Sequence, residues 1–437
     1  MNGKLRSLIC IVLLAGAFTS RAEEGSAASQ PLSLVWATAS QGRFSYCVVP
    51  DDRGATFEAG VAETTLESGS THYGAFVAKF DQAGKPVWKA MTRHRNGASE
   101  FDVAAIDGLG NVYAAGCLFG ADADFGNKLR LDDQRPQGRE ASMCRTLLVK
   151  YDSQGRALWV ETGPVRERTA FGSLAVDRSD NVFAVGYVWA DAEETNGPIA
   201  FSDAAPGFKV MPYPEADEGS VLVKFGPQGK ALWAVVPGSI QFSSVVADES
   251  GNAYIVGAAT DDGSSALGYT RGVLVAGGGV GVRAMLAKYS PNGVALWTRL
   301  ATVKGGGSEF IQLARGADGS LYAAGTTTGS CDFGNGVSVS APAPQSPVLV
   351  KYDAEGKALW ARIPAGDAEA WRIRAVAVMG ELVYWAIQAD EAGPNANFDL
   401  AMASAWEGGY SWSATIRRGR LSGRGVSRPI STISILL

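Results

Sequence analysis

The chain has 437 residues, 46% of them hydrophobic and 19% charged, with 54 glycines and a formal net charge of −5. It is long enough to bury a large core, and many glycines and aromatics with few strong helix formers favour short strands joined by tight turns. The acidic balance leaves no basic footprint, so nucleic acid is excluded as an expected partner.

Residues 1–22 carry a basic start at Lys4 and Arg6, an apolar run from Leu8 to Phe18, and the small-residue site Ser20-Arg21-Ala22 before Glu23. That order predicts a secretory signal peptide cut after Ala22, with export to the periplasm, cell surface or medium. The run falls short of the roughly 20 residues a spanning helix needs, so no membrane span is expected after cleavage. Cys10 lies inside the run behind bulky Ile9, which argues against a lipid anchor. Residues 23–31 read as a short linker.

From 32 to 412 the chain repeats itself. "VAKFDQAGKPVW" (77–88), "LVKYDSQGRALW" (148–159), "LVKFGPQGKALW" (222–233), "LAKYSPNGVALW" (286–297) and "LVKYDAEGKALW" (349–360) are near copies. Trp36, Trp88, Trp159, Trp233, Trp297, Trp360 and Trp412 recur at intervals of 52 to 74 residues. In the second unit, strand A ("FDVAAI"), the turn "DGLGN", strand B ("VYAAG"), a variable stretch, strand C ("LLVKY"), the turn "DSQG" and strand D ("ALW") follow in order. Asp can bond back to the turn backbone and Gly can take the left-handed conformation such hairpins need. Each turn has one or two carboxylates, far from the six to eight oxygens of a calcium shell, so a turn role is expected and a metal is not.

Four short strands per unit and at least six units predict an all-β β-propeller of four-stranded blades. The Trp of each outermost strand is expected to fill the wedge between blades. Six A–B–C sets stand against seven Trp-bearing strands. The expectation is six full blades with a seventh only partly built: "LSLVWAT" (32–38) either supplies the outer strand of the sixth unit, leaving the Trp412 strand surplus, or closes a seventh blade. The tail 413–437 has five arginines, no acid and no repeat turn, and reads as non-repeat.

The segments "DGLGNVYAAG" (107–116), "CDFGNG" (331–336) and "FVAKFDQAGKPVW" (76–88) resemble the SBBP-type β-propeller repeat of secreted bacterial proteins, over about residues 32–412. The resemblance implies the fold and leaves the activity open. "YDAEGKALW" is also similar to the tryptophan-docking motif of pyrroloquinoline-quinone dehydrogenases. No two cysteines are adjacent here, so the quinone is not implied and no cofactor is expected.

Alternating strand direction puts the tight A–B and C–D turns on one face and the D–A and variable B–C connections on the other. Insertions gathered on one face mark either a binding surface for a protein or polysaccharide or the neutral drift of unconstrained loops. Candidate contact residues there are Trp189, Phe208, Tyr213, Asp122, Asp124, Arg130 and Trp371, with His72 and His94 nearby. Cys117 and Cys144 flank the second B–C insertion and are expected to form a disulfide, leaving Cys47 and Cys331 unpaired. Two histidines, no GxSxG and no HExxH give little chemistry, and the A strands read as apolar or small. The resulting expectation is a monomeric, non-enzymatic binding or scaffold module. A propeller hydrolase, lyase or quinoprotein, or a periplasmic assembly scaffold, is the alternative.

Overall fold

The computed structural model describes residues 8–12, 36–39, 43–51, 53–65, 71–95, 97–120, 122–132, 144–163, 168–189, 218–237, 240–262, 266–270, 273–276, 280–341, 345–363, 370–379, 382–390, 399–405, 412–416 and 432–436. Among them there is no helix, and six four-stranded antiparallel sheets follow one another along the chain. Sheet one is Arg43–Pro50, Thr56–Thr65, Thr71–Phe80 and Pro86–Met91. Sheet two is Gly97–Ile106, Val112–Gly120, Arg145–Tyr151 and Ala157–Thr162; sheet three is Arg168–Val176, Val182–Trp189, Glu218–Phe225 and Ala231–Val235. Sheet four is Ile240–Ala247, Ala253–Asp262, Val280–Tyr289 and Ala295–Leu300, and sheet five is Ser308–Arg315, Leu321–Thr327, Ser346–Tyr352 and Ala358–Arg362. Sheet six is Ala370–Met379, Leu382–Asp390, Asp399–Ala405 and Trp412–Ile416. Each sheet holds its strands in A–B–C–D order, as the repeat implied.

The core lies between sheets. Phe57, Ala59 and Val77 of sheet one pack with Phe101, Leu147 and Tyr151 of sheet two, and equivalent apolar clusters fill the next four gaps. Both faces of each inner sheet are therefore dry, which explains why strands B and C are apolar at nearly every position rather than alternating.

The turns behave as the sequence chemistry requires. Asp107 Oδ1 accepts from Leu109 N and Asn111 N, both at 2.9 Å, and Gly110 takes φ +82°. Asp180 stands in the glycine place of the next A–B turn and takes φ +59°. A bulge recurs in every A strand, for example between Phe101 and Val103. There the facing B strand carries glycine in the first five sheets, because a Cβ on Gly257 would lie 1.8 Å from the Gln241 carbonyl. Ile387 takes that register position in sheet six, the unit whose turns are also eroded.

The ends differ from the sequence expectation. The Trp412 strand is not surplus: it is the outer strand of sheet six. Trp36–Ala39 does not join that sheet. It pairs antiparallel with Leu8–Val12, inside the segment read as a leader, and Leu8–Val12 pairs parallel with Thr432–Leu436 from the tail.

Candidate functional site

Each outer-strand tryptophan is built into a seam. The Trp88 indole Nε1 donates to Ser153 O at 3.0 Å, Trp159 to Pro227 O at 2.9 Å and Trp233 to Pro291 O at 2.8 Å, in each case on the C–D turn of the following sheet. The rings lie flat against the glycine of that turn: a Cβ on Gly155, Gly229, Gly293 or Gly356 would come within 2.7–2.8 Å of Trp88, Trp159, Trp233 or Trp297. Behind the indole sits the aromatic of strand B, 6.0 Å away for Trp233 and Phe183 and 6.1 Å for Trp360 and Tyr322. Over that aromatic lies the Lys of strand C, as with Lys224 at 4.7 Å from Phe183. Lys224 Nζ also reaches Asp177 at 3.5 Å. The side chains of Trp36 and Trp412 lie outside the described residues.

The second unit's B–C insertion is a structural piece in its described part. Asp122–Gly126 and Leu129–Asp132 form a hairpin along the outer edge of the sheet. Asn127 takes φ +50° and its amide donates to Ala157 O at 2.8 Å, tying the hairpin to strand D. On the other side, Arg93 and Asp124 exchange backbone bonds of 2.9 Å, stapling it to the connection from sheet one. Asp122 and Asp124 are thus spent on structure: Asp122 accepts from Arg95 N at 2.6 Å, and Asp124 pairs with Arg130 at 3.0 Å. Sheet five repeats the device with Ser330–Asp332, Ser338–Ser340 and Asn335, whose amide reaches Ala358 O at 2.9 Å. His94 is locked as well, between Asp122 O at 2.7 Å and Ser99 Oγ at 2.8 Å, and burial holds its pKa below the usual value. Cys117 and Cys144 are disulfide-bonded with Cα atoms 5.3 Å apart, while Cys47 and Cys331 are free thiols.

Of the remaining candidates, Trp189 ends strand B of sheet three and Trp371 opens strand A of sheet six. Their side chains, and Phe208 and Tyr213 altogether, lie outside the described residues; His72 lies not in a connection but on strand C of sheet one, paired with Thr64. Of the residues named from the loops, Asp122, Asp124 and Arg130 come together on the second unit's hairpin.

The A strands touch one another across successive sheets. Cys47 Sγ accepts from Ala104 N at 3.3 Å, Ser173 Oγ from Val245 N at 3.1 Å and Ser244 Oγ from Leu313 N at 3.3 Å. Beside the first of these contacts lies a group the sequence reading missed. Glu100 and Asp102 are half-buried on strand A of sheet two, and the half-exposed Tyr46 of sheet one senses both charges. Burial, with repulsion from Glu100 second, pushes Asp102 up to about 6, and burial also raises Glu100. The expectation that A strands are apolar or small is corrected here. The bulge after Phe101 breaks strict alternation, so Asp102 cannot be placed from a period-two reading. Cys117 Sγ lies within 4.8 Å of both carboxylates, but a disulfide sulfur is no thiolate ligand.

The architecture defines a β-propeller-like, all-β protein. No protein family and no curated protein matches the chain. Among solved structures it is similar to a protein of unknown function from Dyadobacter fermentans, at 12% identity and TM-score 0.44, covering 84% of this chain and 94% of that one. It is also similar to the Dos1 propeller, at 10% identity and TM-score 0.38, covering 87% and 85%.

Proposed function

We propose that the chain is a six-bladed β-propeller, exported by residues 1–22, that works as a monomeric, non-enzymatic binding or scaffold module for a protein or polysaccharide. The supporting observation is the distribution of loop lengths. In the first five sheets every A–B joint (51–55, 107–111, 177–181, 248–252, 316–320) and every C–D joint (81–85, 152–156, 226–230, 290–294, 353–357) has five residues. The B–C joints run from 66–70 in sheet one to 190–217 in sheet three. One face is uniform and the other free to vary, which is how a scaffold presents a recognition surface. Support for the ring comes from the first sheet: Phe76, Ala78 and Phe80, on the face turned from sheet two, are buried too.

Capture of secreted proteins and cell-wall glycans by the intact chain, and its loss when 190–218 is shortened, tests the reading. Unchanged capture by the shortened chain refutes the loop face. N-terminal sequencing of the exported protein should begin at Glu23.

A propeller enzyme is the second reading, favoured by the Glu100–Asp102–Tyr46 group. It requires hydrolysis or elimination on a substrate panel that disappears in both Glu100→Gln and Asp102→Asn.

A further inference from the structure

The seams between sheets one and two and between sheets four and five are built alike. Both carry a DFGN hairpin on the outer edge, a tryptophan lying on the C–D turn glycine of the next sheet, and an Asn amide tied to the first residue of strand D. They differ two residues after the tryptophan. In the later seam Arg299 fills the space: its Nε donates to Gly356 O at 3.2 Å, its Nη2 to Glu355 O at 3.0 Å, and its guanidinium carbon lies 4.9 Å from the Trp297 ring centroid. Strand pairing puts Ala90 at the same register in the earlier seam, since Ala90 faces Val77 as Arg299 faces Leu286. The turn carbonyls at the matching places are those of Gln154 and Gly155, and Trp88 supplies the ring. At the register of Arg299 the earlier seam has an open cleft of about 400 Å³, whose lining includes Lys89, Ala90, Arg93, Asp124, Gly155 and Arg156.

We propose that this cleft is a seat for a guanidinium group, taken by an arginine side chain on an exposed segment of a partner protein. Carbonyl pairs at a turn match the planar fork of guanidinium and not the compact ammonium of lysine, and the indole adds a cation–π contact. Three cations share the wall: Lys89 lays its Nζ over the Phe76 ring at 5.0 Å, Arg156 is held by Asp152 at 2.6 Å, and Arg93, whose backbone pairs with that of Asp124, stands beside the opening. The net charge of −5 draws basic segments toward the surface. The seat lies on the outer rim, so it goes beyond the loop-face reading and does not depend on it.

The test is titration of the full chain with acetyl-arginine amide, followed by indole N–H resonances. One indole, Trp88, is expected to shift saturably at millimolar concentration, with at least a fivefold smaller effect of acetyl-lysine amide. Ala90→Arg fills the seat as Arg299 does and should abolish the shift while the other indoles stay in place. Arg93→Gln, which removes a like charge, should tighten binding. Arg299→Ala should open a second seat and add a second shifting indole, a readout that stands even if Ala90→Arg misfolds. Equal shifts with the lysine amide, a shift that survives Ala90→Arg, or no second indole in a folded Arg299→Ala protein would each overturn the proposal.

Discussion

Gly229 answers to two demands at once. Its φ of +85° disfavours any Cβ, and the place where a Cβ would stand is 2.8 Å from the Trp159 ring. Gly126 has nearly the same φ, +80°, with open space around it. Gly126→Ala therefore measures the backbone cost alone, ~1 kcal/mol, and Gly229→Ala should lose a further ~1–3 kcal/mol as the seam opens or the indole leaves its rotamer. Urea midpoints of the two variants give the comparison; equal losses would mean the indole is not seated. Two ionisable groups set opposite pH slopes. His94 is held below its usual 6.5 by burial. Below that value the unfolded chain binds more protons than the folded one, so stability falls as pH drops through the folded pKa of His94. Asp102 is raised from 3.8 to about 6. Between those values the folded chain binds more protons, so its contribution is full below the lower value and lost as pH rises through about 6. Asp102→Asn should flatten that loss and raise stability at pH 7.5 by ~1–2 kcal/mol, after discounting a partly exposed carboxyl. Denaturant titrations from pH 4 to 8 check both slopes.

The recurring element is a stack of four parts: strand-C lysine, strand-B aromatic, strand-D indole and the neighbouring turn. Lys224 is buried in it, between the Phe183 ring, Asp177 and Pro291 O at 3.3 Å. Lys224→Met keeps the stem and removes the charge, leaving Asp177 under-compensated in a dry seam. The expected loss is ~2–3 kcal/mol, below the ~3–5 kcal/mol of a fully buried pair because Asn181 also serves Asp177. The disulfide works at the same scale: it ties the end of strand B to the start of strand C over a separation of 27 residues. Cys117→Ser with Cys144→Ser should cost ~3 kcal/mol on the chain-entropy account, read from thermal unfolding without reductant. The parts visible in the sequence are those fixed by one residue type at one place: the turn Asp and Gly, the Trp, the flanking cysteines. The "DFG" hairpins sit in what the sequence presents as a variable stretch, because their tie to the preceding sheet's connection, as of Asp124 to Arg93, leaves no local mark. Asp102 is hidden in "FDVAAI", which reads as an apolar strand until the bulge between Phe101 and Val103 is seen, and Glu100 lies just before that segment.

For the molecule as a whole, the order of the sheets follows from their contacts, and closure is the question with the sharpest physical consequence. A row of six stacked sheets, about 10 Å apart, would separate the first and last inner strands by roughly 50 Å. A ring places them side by side, and it also accounts for the dryness of Phe76 and Phe80 on the first sheet's outer-facing side. Nitroxide labels on Tyr46→Cys and Arg374→Cys, both half-exposed or exposed on inner strands, convert this into one distance. The native thiols do not interfere: burial pushes Cys47 up to about 11 and raises Cys331 as well, so neither offers a reactive thiolate at pH 7. A separation under about 20 Å is expected, because inner strands of neighbouring blades lie near one sheet spacing apart. A distribution centred near 50 Å would replace the ring with a linear stack. It would also remove the shared loop face on which the binding reading rests, while leaving the guanidinium seat between sheets one and two intact.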